Sequence, residues 1–295
     1  VIVREGRVVG RGWTAHGGRP HAEAVALAQA GEAARGADLF VTLEPCAHRS
    51  DRGPSCADLL VAARPARVIA GLADPDPRTA GRGLARLREA GIVAELRANS
   101  AIADSLAGYL TRALLGRPHV TLKLAMSLDG CIALADGSSR WITGPEARAH
   151  VHARRARADA ILVGGGTWRA DSPRLDVRLP GLEAHSPARW VLTTGPAPDG
   201  AEAIGAPDEI SRMAGVQYLY VEGGARTAAA FIGADLADRL EIYRAPIVIG
   251  DGLRAIGAFG LDDLADAHGR WALEEQAQLG SDAFAAYRRV REGVS

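Results

Sequence analysis

His21-Ala22-Glu23, followed along the chain by Pro45-Cys46 and then Cys56, brings together residue types that can do metal chemistry. One imidazole and two thiolates make three zinc ligands and leave the fourth tetrahedral position open for a water. Zinc lowers the pKa of such a water to about 7, which gives a nucleophile at neutral pH. His21, Cys46 and Cys56 are therefore the expected metal ligands. Glu23 is read as the general acid/base and not as a ligand, because a carboxylate tied to the metal shuttles protons poorly.

Zinc deaminases of nucleobases use this H-x-E…P-C…C order. They commonly separate the two cysteines by two residues, whereas nine (47–55) intervene here. The bland alternative is a pair of unrelated buried cysteines and a histidine at a helix start. The third cysteine, Cys131, lies in a strand-like stretch and reads as a small core residue.

The elements around these residues must hold them in place. Pro20 fits the first turn of a helix, which would put His21 and Glu23 in that turn, and the largely apolar stretch 22–30 predicts a buried helix. Cys46 follows a strand-like run at 39–43. The chain opens on a hairpin pattern around Arg4-Glu5-Gly6-Arg7, and a start so close to a first strand suggests that residues precede it. Further on, a helix is expected at 56–63, a strand at 68–72, a turn at Asp74-Pro75-Asp76-Pro77, and helices at 83–90 and 101–115. Gly116-Arg117-Pro118 breaks the pattern and marks the domain boundary, giving domains 1–116 and 117–295.

The second half restarts with a strand at 119–125 and a turn at Asp129-Gly130, then a helix at 145–157. Two strands run into glycines: 160–163 into Gly164-Gly165-Gly166-Thr167, and 218–221 into Glu222-Gly223-Gly224. A glycine-rich turn opening a helix lets phosphate oxygens approach backbone N–H groups. Neither junction is G-x-G-x-x-G, so ordinary tight turns explain them equally well. Arg155 and Arg178 are candidates for a substrate phosphate. Strands are expected on either side of Gly280-Ser281-Asp282. Alternation of β and α elements throughout argues for two layered α/β domains.

With 295 residues and 47% hydrophobic content, the chain is long enough for two cores. Formal net charge is zero, which argues against a nucleic-acid partner. No apolar run reaches the roughly 18 residues of a membrane span, and no signal peptide is visible. Three cysteines, two of them assigned to metal, suit the reducing cytoplasm. Lys123 is the single lysine beside 34 arginines.

Taken together, the residues resemble the bifunctional riboflavin-biosynthesis family that joins a pyrimidine deaminase to a pyrimidine reductase. The deaminase part is carried by His21-Ala22-Glu23, by Val41-Thr42-Leu43-Glu44-Pro45-Cys46 with the distant Cys56, and by Asp74-Pro75-Asp76-Pro77 with Gly81 and Gly83. A wide cysteine spacing is usual in that family. The reductase part is carried by Leu122-Lys123-Leu124, Ser127-Leu128-Asp129-Gly130, Trp141-Ile142-Thr143, the 159–164 strand, Asp171-Ser172-Pro173 and Val221-Glu222-Gly223-Gly224.

The resemblance implies a cytidine-deaminase-like N-terminal domain and a dihydrofolate-reductase-like C-terminal domain. It implies zinc-dependent deamination of a diaminopyrimidinone ribosylamino 5′-phosphate, followed by NADPH reduction of the ribosyl to a ribityl chain. NADPH is expected against Ala125, Trp141, Thr167, Asp171, Thr194, Gly223 and Gly224. The reductase substrate is expected at Ser139, Arg155, Leu175, Arg178 and Glu222, with the Lys123 ammonium polarising the opening sugar oxygen. Pairing of chains through the reductase domain is also implied. No arginine in the sequence singles itself out as the reader of the NADPH 2′-phosphate.

The chain departs from the family pattern in three places. Its 47–55 loop is one residue longer and lacks Thr-Pro-Pro, the family's N-terminal helix is absent, and the segment between Thr194 and Val216 is short by about one strand and one helix. Loss of a strand–helix unit should expose core, so omitted residues are the expectation there. Two other readings compete: a deaminase of another base or nucleoside with an unrelated or decayed second domain, and a non-catalytic zinc-stabilised binding module. Glu23 argues against the second, since a structural zinc site needs no proton shuttle.

Overall fold

The computed structural model describes residues 1–48 and 53–291. The chain forms two compact units that part between Leu114 and Leu115.

The first unit begins with the antiparallel strands β1 (Ile2–Arg4) and β2 (Arg7–Gly10). Their turn residues Glu5 and Gly6 both have positive φ, 50° and 76°, the turn geometry that matches the twist of paired strands. Next come α1 (Ala22–Ala30), β3 (Asp38–Leu43), α2 (Cys56–Ala63), β4 (Arg67–Leu72), α3 (Arg82–Glu89) and β5 (Val93–Leu96). α4 (Ser100–Ser105) and α5 (Ala107–Leu115) end the unit. The sheet order is β2-β1-β3-β4-β5, with β3, β4 and β5 parallel. Ile2, Leu39, Leu60, Val68 and Leu87 close the core between sheet and helices.

Two expectations for this unit change. α1 begins at Ala22, so Pro20 precedes the helix and His21 is its N-cap, with extended backbone (φ −73°, ψ 162°). The extended His21 opens the helical ladder, its carbonyl accepting from Val25 N at 3.3 Å, while Glu23 sits inside the first turn. The helix expected over 101–115 is two helices, interrupted at Leu106, and the first is capped by Asn99 Oδ1 accepting from Ala101 N at 2.9 Å.

The second unit contains β6 (His119–Met126), β7 (Cys131–Leu134), α6 (Pro145–Arg155), β8 (Ala160–Gly164), α7 (Gly165–Asp171), β9 (Ala188–Leu192), β10 (Glu202–Ile204), β11 (Tyr218–Val221) and α8 (Ala225–Gly233). β12 (Arg239–Arg244), β13 (Gly252–Arg254), β14 (Trp271–Leu279) and β15 (Asp282–Arg289) follow. The main sheet runs β10-β9-β8-β11-β6-β12-β15-β14, parallel from β10 to β12 and antiparallel at β15 and β14. β7 and β13 form a separate two-stranded ribbon.

Every residue of β8 is buried, as expected of a parallel strand covered on both faces. Side-chain alternation then sorts the core into two layers. Leu122, Leu124, Leu162 and Phe231 belong to one, and Val151, Ile161, Val163 and Tyr243 to the other. Cys131 is 1% exposed and occupies the core, as read. At the unit's start Arg117 pairs bidentately with buried Asp238 at 2.7 and 2.9 Å.

The segment between Thr194 and Val216 does not leave core exposed. The short edge strand β10 and a 3-10 turn at Pro207–Arg212 bring Ile204, Ile210 and Met213 over the sheet, each at most 4% exposed.

Candidate functional site

In the first unit, three side chains from separate elements converge. His21 comes from the N-cap of α1, Cys46 from the loop after β3, and Cys56 from the first position of α2. Ligands at about 2.0–2.3 Å from a tetrahedral zinc stand about 3.5 Å from one another. His21 Nδ1 lies 3.3 Å from Cys56 Sγ and 3.6 Å from Cys46 Sγ, and all three ligand atoms fall within 4.8 Å. Among the described residues no fourth His, Cys, Asp or Glu joins the cluster. Spacing and donor set thus fit zinc with one position left for water.

The local electrostatics agree. Hydrogen bonding from Cys56 holds the Cys46 thiol far below its ordinary range, while the same pairing, with burial, pushes Cys56 up. Cys56 N also donates to Cys46 Sγ at 3.2 Å. Glu23 is buried at 8% exposure, and desolvation raises its carboxyl above the ordinary value.

Glu44 was not singled out by sequence, yet it anchors Cys46. Its carboxylate, 2% exposed, accepts from Gly81 N at 2.9 Å and Leu84 N at 3.1 Å at the start of α3, and from Asp74 N at 3.4 Å. Gly83 lets α3 approach the Pro45 carbonyl so closely that a Cβ would overlap it. The Asp-Pro-Asp-Pro turn and α3 thus serve as a shelf for the Cys46 segment. Arg19 adds a contact from the other side, donating to Pro54 O at 3.2 Å with Nη2 4.0 Å from Cys46 Sγ. Of the loop 47–55, residues 49–52 lie outside the described residues, and the missing Thr-Pro-Pro falls there and beside them.

In the second unit, a cavity of about 1110 Å³ crosses the C-terminal ends of the parallel strands. Ligands bind at this edge in open α/β sheets. Lys123, Ala125, Ser139, Trp141, Arg155, Thr167, Asp171, Arg178, Thr194, Glu222, Gly223 and Gly224 all line it. Leu175 does not: its φ of +54° turns the side chain back into the core, where it packs with Val151, Ile161 and Val163 at 5% exposure.

Two adjacent strands set the charged centre of this cavity. Lys123 faces away from the layer that takes Leu122 and Leu124, and its Nζ lies 3.6 Å from Glu222 Oε2. Arg155, from α6, grips the same carboxylate with Nε at 2.6 Å and Nη2 at 3.0 Å, and its Nη1 donates to Asp176 O at 3.0 Å. Burial alone would raise the Glu222 carboxyl, but the Lys123 and Arg155 charges outweigh it and hold it at about 2. Arg155 thereby has its donors committed, which leaves Arg178 the more exposed of the two arginines read for phosphate. Nearby, Arg148 stacks 4.7 Å over the Trp141 ring.

The two glycine junctions have divided roles. A Cβ on Gly164 or on Gly223 would overlap the Thr227 side chain, so these glycines serve packing. Gly166 has nothing within 4 Å of a Cβ position and Gly224 only Thr167 Oγ1 at 3.8 Å, so both leave room that a ligand can fill. Gly224 is the N-cap of α8, whose first-turn N–H groups suit a diphosphate. These features fit a dinucleotide. Arg148, His152, Arg169 and Thr193 also line the cavity. Arg148 and His152 share a face of α6 with Arg155, whereas the sheet order brings Arg169 and Thr193 to the same cavity.

Residues 118–203 and 208–284 match the model described as RibD C-terminal domain. Residues 1–72 match the cytidine and deoxycytidylate deaminase zinc-binding region. The chain is 39% identical to riboflavin biosynthesis protein RibD of Haemophilus influenzae, over 97% of this chain and 90% of that one. It is 38% identical to the Mycobacterium tuberculosis protein of the same description, over 96% and 87%. Among solved structures, Acinetobacter baumannii RibD aligns with TM-score 0.88 at 32% identity, covering 99% of this chain and 91% of that one. A Thermotoga maritima structure, titled a diaminohydroxyphosphoribosylaminopyrimidine deaminase/5-amino-6-(5-phosphoribosylamino)uracil reductase, aligns with TM-score 0.85 at 28% identity, covering 98% and 91%.

Proposed function

The chain belongs to the RibD family of riboflavin-biosynthesis enzymes, and on that premise we propose how its residues divide the work. It is a bifunctional enzyme, a zinc-dependent deaminase and an NADPH-dependent reductase. Neither a deaminase with an unrelated second half nor a non-catalytic zinc module accounts for the match over 118–284. Residues 1–116 take the deaminase role and 117–295 the reductase role. The substrates are those named for the Thermotoga maritima relative: the diaminopyrimidinone ribosylamino phosphate first, then the aminouracil that still carries its ribose phosphate.

In the deaminase, His21, Cys46 and Cys56 hold the zinc, which when bound supplies Lewis-acid activation of the attacking water. Glu23, buried beside the ligands, takes the proton from that water on a carboxylate oxygen. It delivers the proton to the ring nitrogen next to C2 and then assists departure of the amino group as ammonia. Glu44 and Gly83 keep Cys46 in register with His21.

In the reductase, NADPH when bound supplies the hydride for C1′ of the ribose. Lys123 gives a proton to the ring oxygen as the C1′–O bond opens, so a ribityl chain with a free hydroxyl results. Glu222 holds the ammonium in place, and Arg155 fixes Glu222. Arg178 receives the substrate phosphate, with Ser139 beside it on the cavity wall, whereas the Leu175 side chain has no part in the contact. Ala125, Trp141, Thr167, Asp171, Thr194, Gly223 and Gly224 line the path of the dinucleotide.

The observation that carries this reading is that the zinc triad with Glu23 and the Lys123–Glu222–Arg155 cluster each stand assembled in their own unit. Incubation of the purified protein with the diaminopyrimidinone substrate and NADPH, with products identified by mass spectrometry, tests it. A species both deaminated and reduced is expected, and unchanged substrate with zinc bound would refute it. Two further parts of the reading are pairing of chains through the reductase unit and work in the reducing cytoplasm, which suits a site built on thiolates. No helix among the described residues is long and apolar enough to cross a membrane.

A further inference from the structure

We propose that Arg169, with Thr193 beside it, reads the 2′-phosphate of NADPH and so makes the reductase choose NADPH over NADH. The inference rests on the reductase reading above. Hydride transfer fixes one end of the cofactor: the nicotinamide must stand at the Lys123–Glu222 cluster, on β6 and just past β11. From there the cavity continues across the ends of β8 and β9 to Gly205 and Pro207 beyond β10. Three strand spacings separate β6 from β9, about 14 Å, the reach of an extended dinucleotide. Gly224 and Gly166, the two positions with room, lie between these ends and suit the diphosphate. The adenosine ribose therefore falls at the β9 end.

Arg169 is the cation waiting there. Its Nη1 and the Thr193 Oγ1 each lie 3.2 Å from the point where a Cβ on Gly165 would stand, so guanidinium and hydroxyl flank one small space. Among the described residues the Arg169 side chain has neither an acidic partner nor a hydrogen bond, unlike Arg155 and Arg178. Thr193 Oγ1 accepts from Gly195 N at 3.1 Å, which leaves its own proton to donate. Glu209, on the turn after β10, would repel a phosphate if it were free, as would Asp171, which pairs with Arg140 at 3.6 Å. Glu209 is committed to Gly205 N at 3.0 Å and to Arg212 at 3.5 Å. A planar guanidinium beside a hydroxyl matches a phosphate monoester dianion. Arg226 also lines the cavity, but it sits on the first turn of α8, beside Gly224 and the diphosphate path.

Equilibrium binding of NADPH, NADH, 2′,5′-ADP and 5′-AMP to the full chain and to its R169Q and R226Q variants tests this. R169Q is expected to weaken NADPH and 2′,5′-ADP roughly 10- to 100-fold while leaving NADH and 5′-AMP within about twofold. R226Q should weaken NADPH and NADH together. Equal loss of both nucleotides in R169Q, no loss in R169Q, or the selective loss appearing in R226Q would each overturn the assignment. A wild-type chain that binds neither nucleotide would instead defeat the reductase reading itself. Arg169 is exposed and unpartnered, so the substitution removes no contact of the fold.

Discussion

Lys123 Nζ stands 3.6 Å from Glu222 Oε2, and this pairing places the chain's single lysine at the charged centre of the reductase cavity. Strand alternation sends Lys123 to the face opposite Leu122 and Leu124, and the β11–β6 pairing brings the residue after Val221 beside it. If Lys123 protonates the opening sugar, Lys123→Met should lower the reductase kcat by about 100-fold or more. Zinc content and deamination should be unchanged. NADPH oxidation with the deaminated substrate measures the first, and ammonia release the second. A variant with normal reductase turnover would remove Lys123 from the mechanism.

Glu222 should also leave a mark on stability. Its carboxyl is held at about 2, below the ordinary glutamate value of 4.5. A depressed acid contributes stability that is complete above its unfolded value and is lost as pH falls through its folded value. The window is therefore pH 4.5 down to about 2, and the contribution is about 3 kcal/mol. Denaturant unfolding of wild type and E222Q should differ most at neutral pH and converge towards pH 2. A gap that stays constant across the acid range would contradict this.

Glu23→Gln should retain zinc and lose deamination by roughly 10²- to 10⁴-fold. Cys56→Ser or treatment with a strong chelator should lose zinc as well, since three ligands hold it and no fourth His, Cys, Asp or Glu joins them among the described residues. In all three cases reductase activity on the deaminated substrate should persist. Metal analysis alongside both assays separates a proton-shuttle role from a ligand role, and a zinc-free E23Q protein would make Glu23 a ligand.

Gly83→Ala should disturb the deaminase without touching any ligand. The added Cβ overlaps Pro45 O, so the Glu44–Pro45–Cys46 segment has to move off α3. Overpacking of this kind costs about 1–3 kcal/mol, and the shift of Cys46 should weaken zinc retention. Zinc release to a competing chelator, compared with wild type, measures it. Unchanged release would mean that the shelf under Cys46 yields without moving the ligand.

Gly223→Ala is the corresponding change in the reductase. Its Cβ would overlap the Thr227 side chain and push apart the turn and the start of α8. NADPH and NADH binding should fall together, in contrast to the selective loss expected of R169Q. Calorimetric titration with both nucleotides distinguishes the two patterns.

By itself the sequence determined the chemistry: a histidine, two cysteines and a carboxylate in H-x-E…P-C…C order, one lysine on a strand, and glycines where strands turn into helices. Most elements were legible too, because hydrophobic periodicity and turn residues act locally. α2 runs over Cys56–Ala63 as read, and β15 follows the Gly280 turn. Tertiary structure decided what depends on contacts distant in sequence. It put His21 at the cap rather than within α1 and folded Leu175 into the core. It laid Glu44 across the start of α3, 37 and 40 residues further along the chain at Gly81 and Leu84. It also let a short edge strand and a 3-10 turn cover the core after Thr194, where counting elements suggested a gap. Arg169 is the plainest case. As one of 34 arginines it carries no signal of its own, and its place at the β9 end of the cavity follows only from the strand order β9-β8-β11-β6.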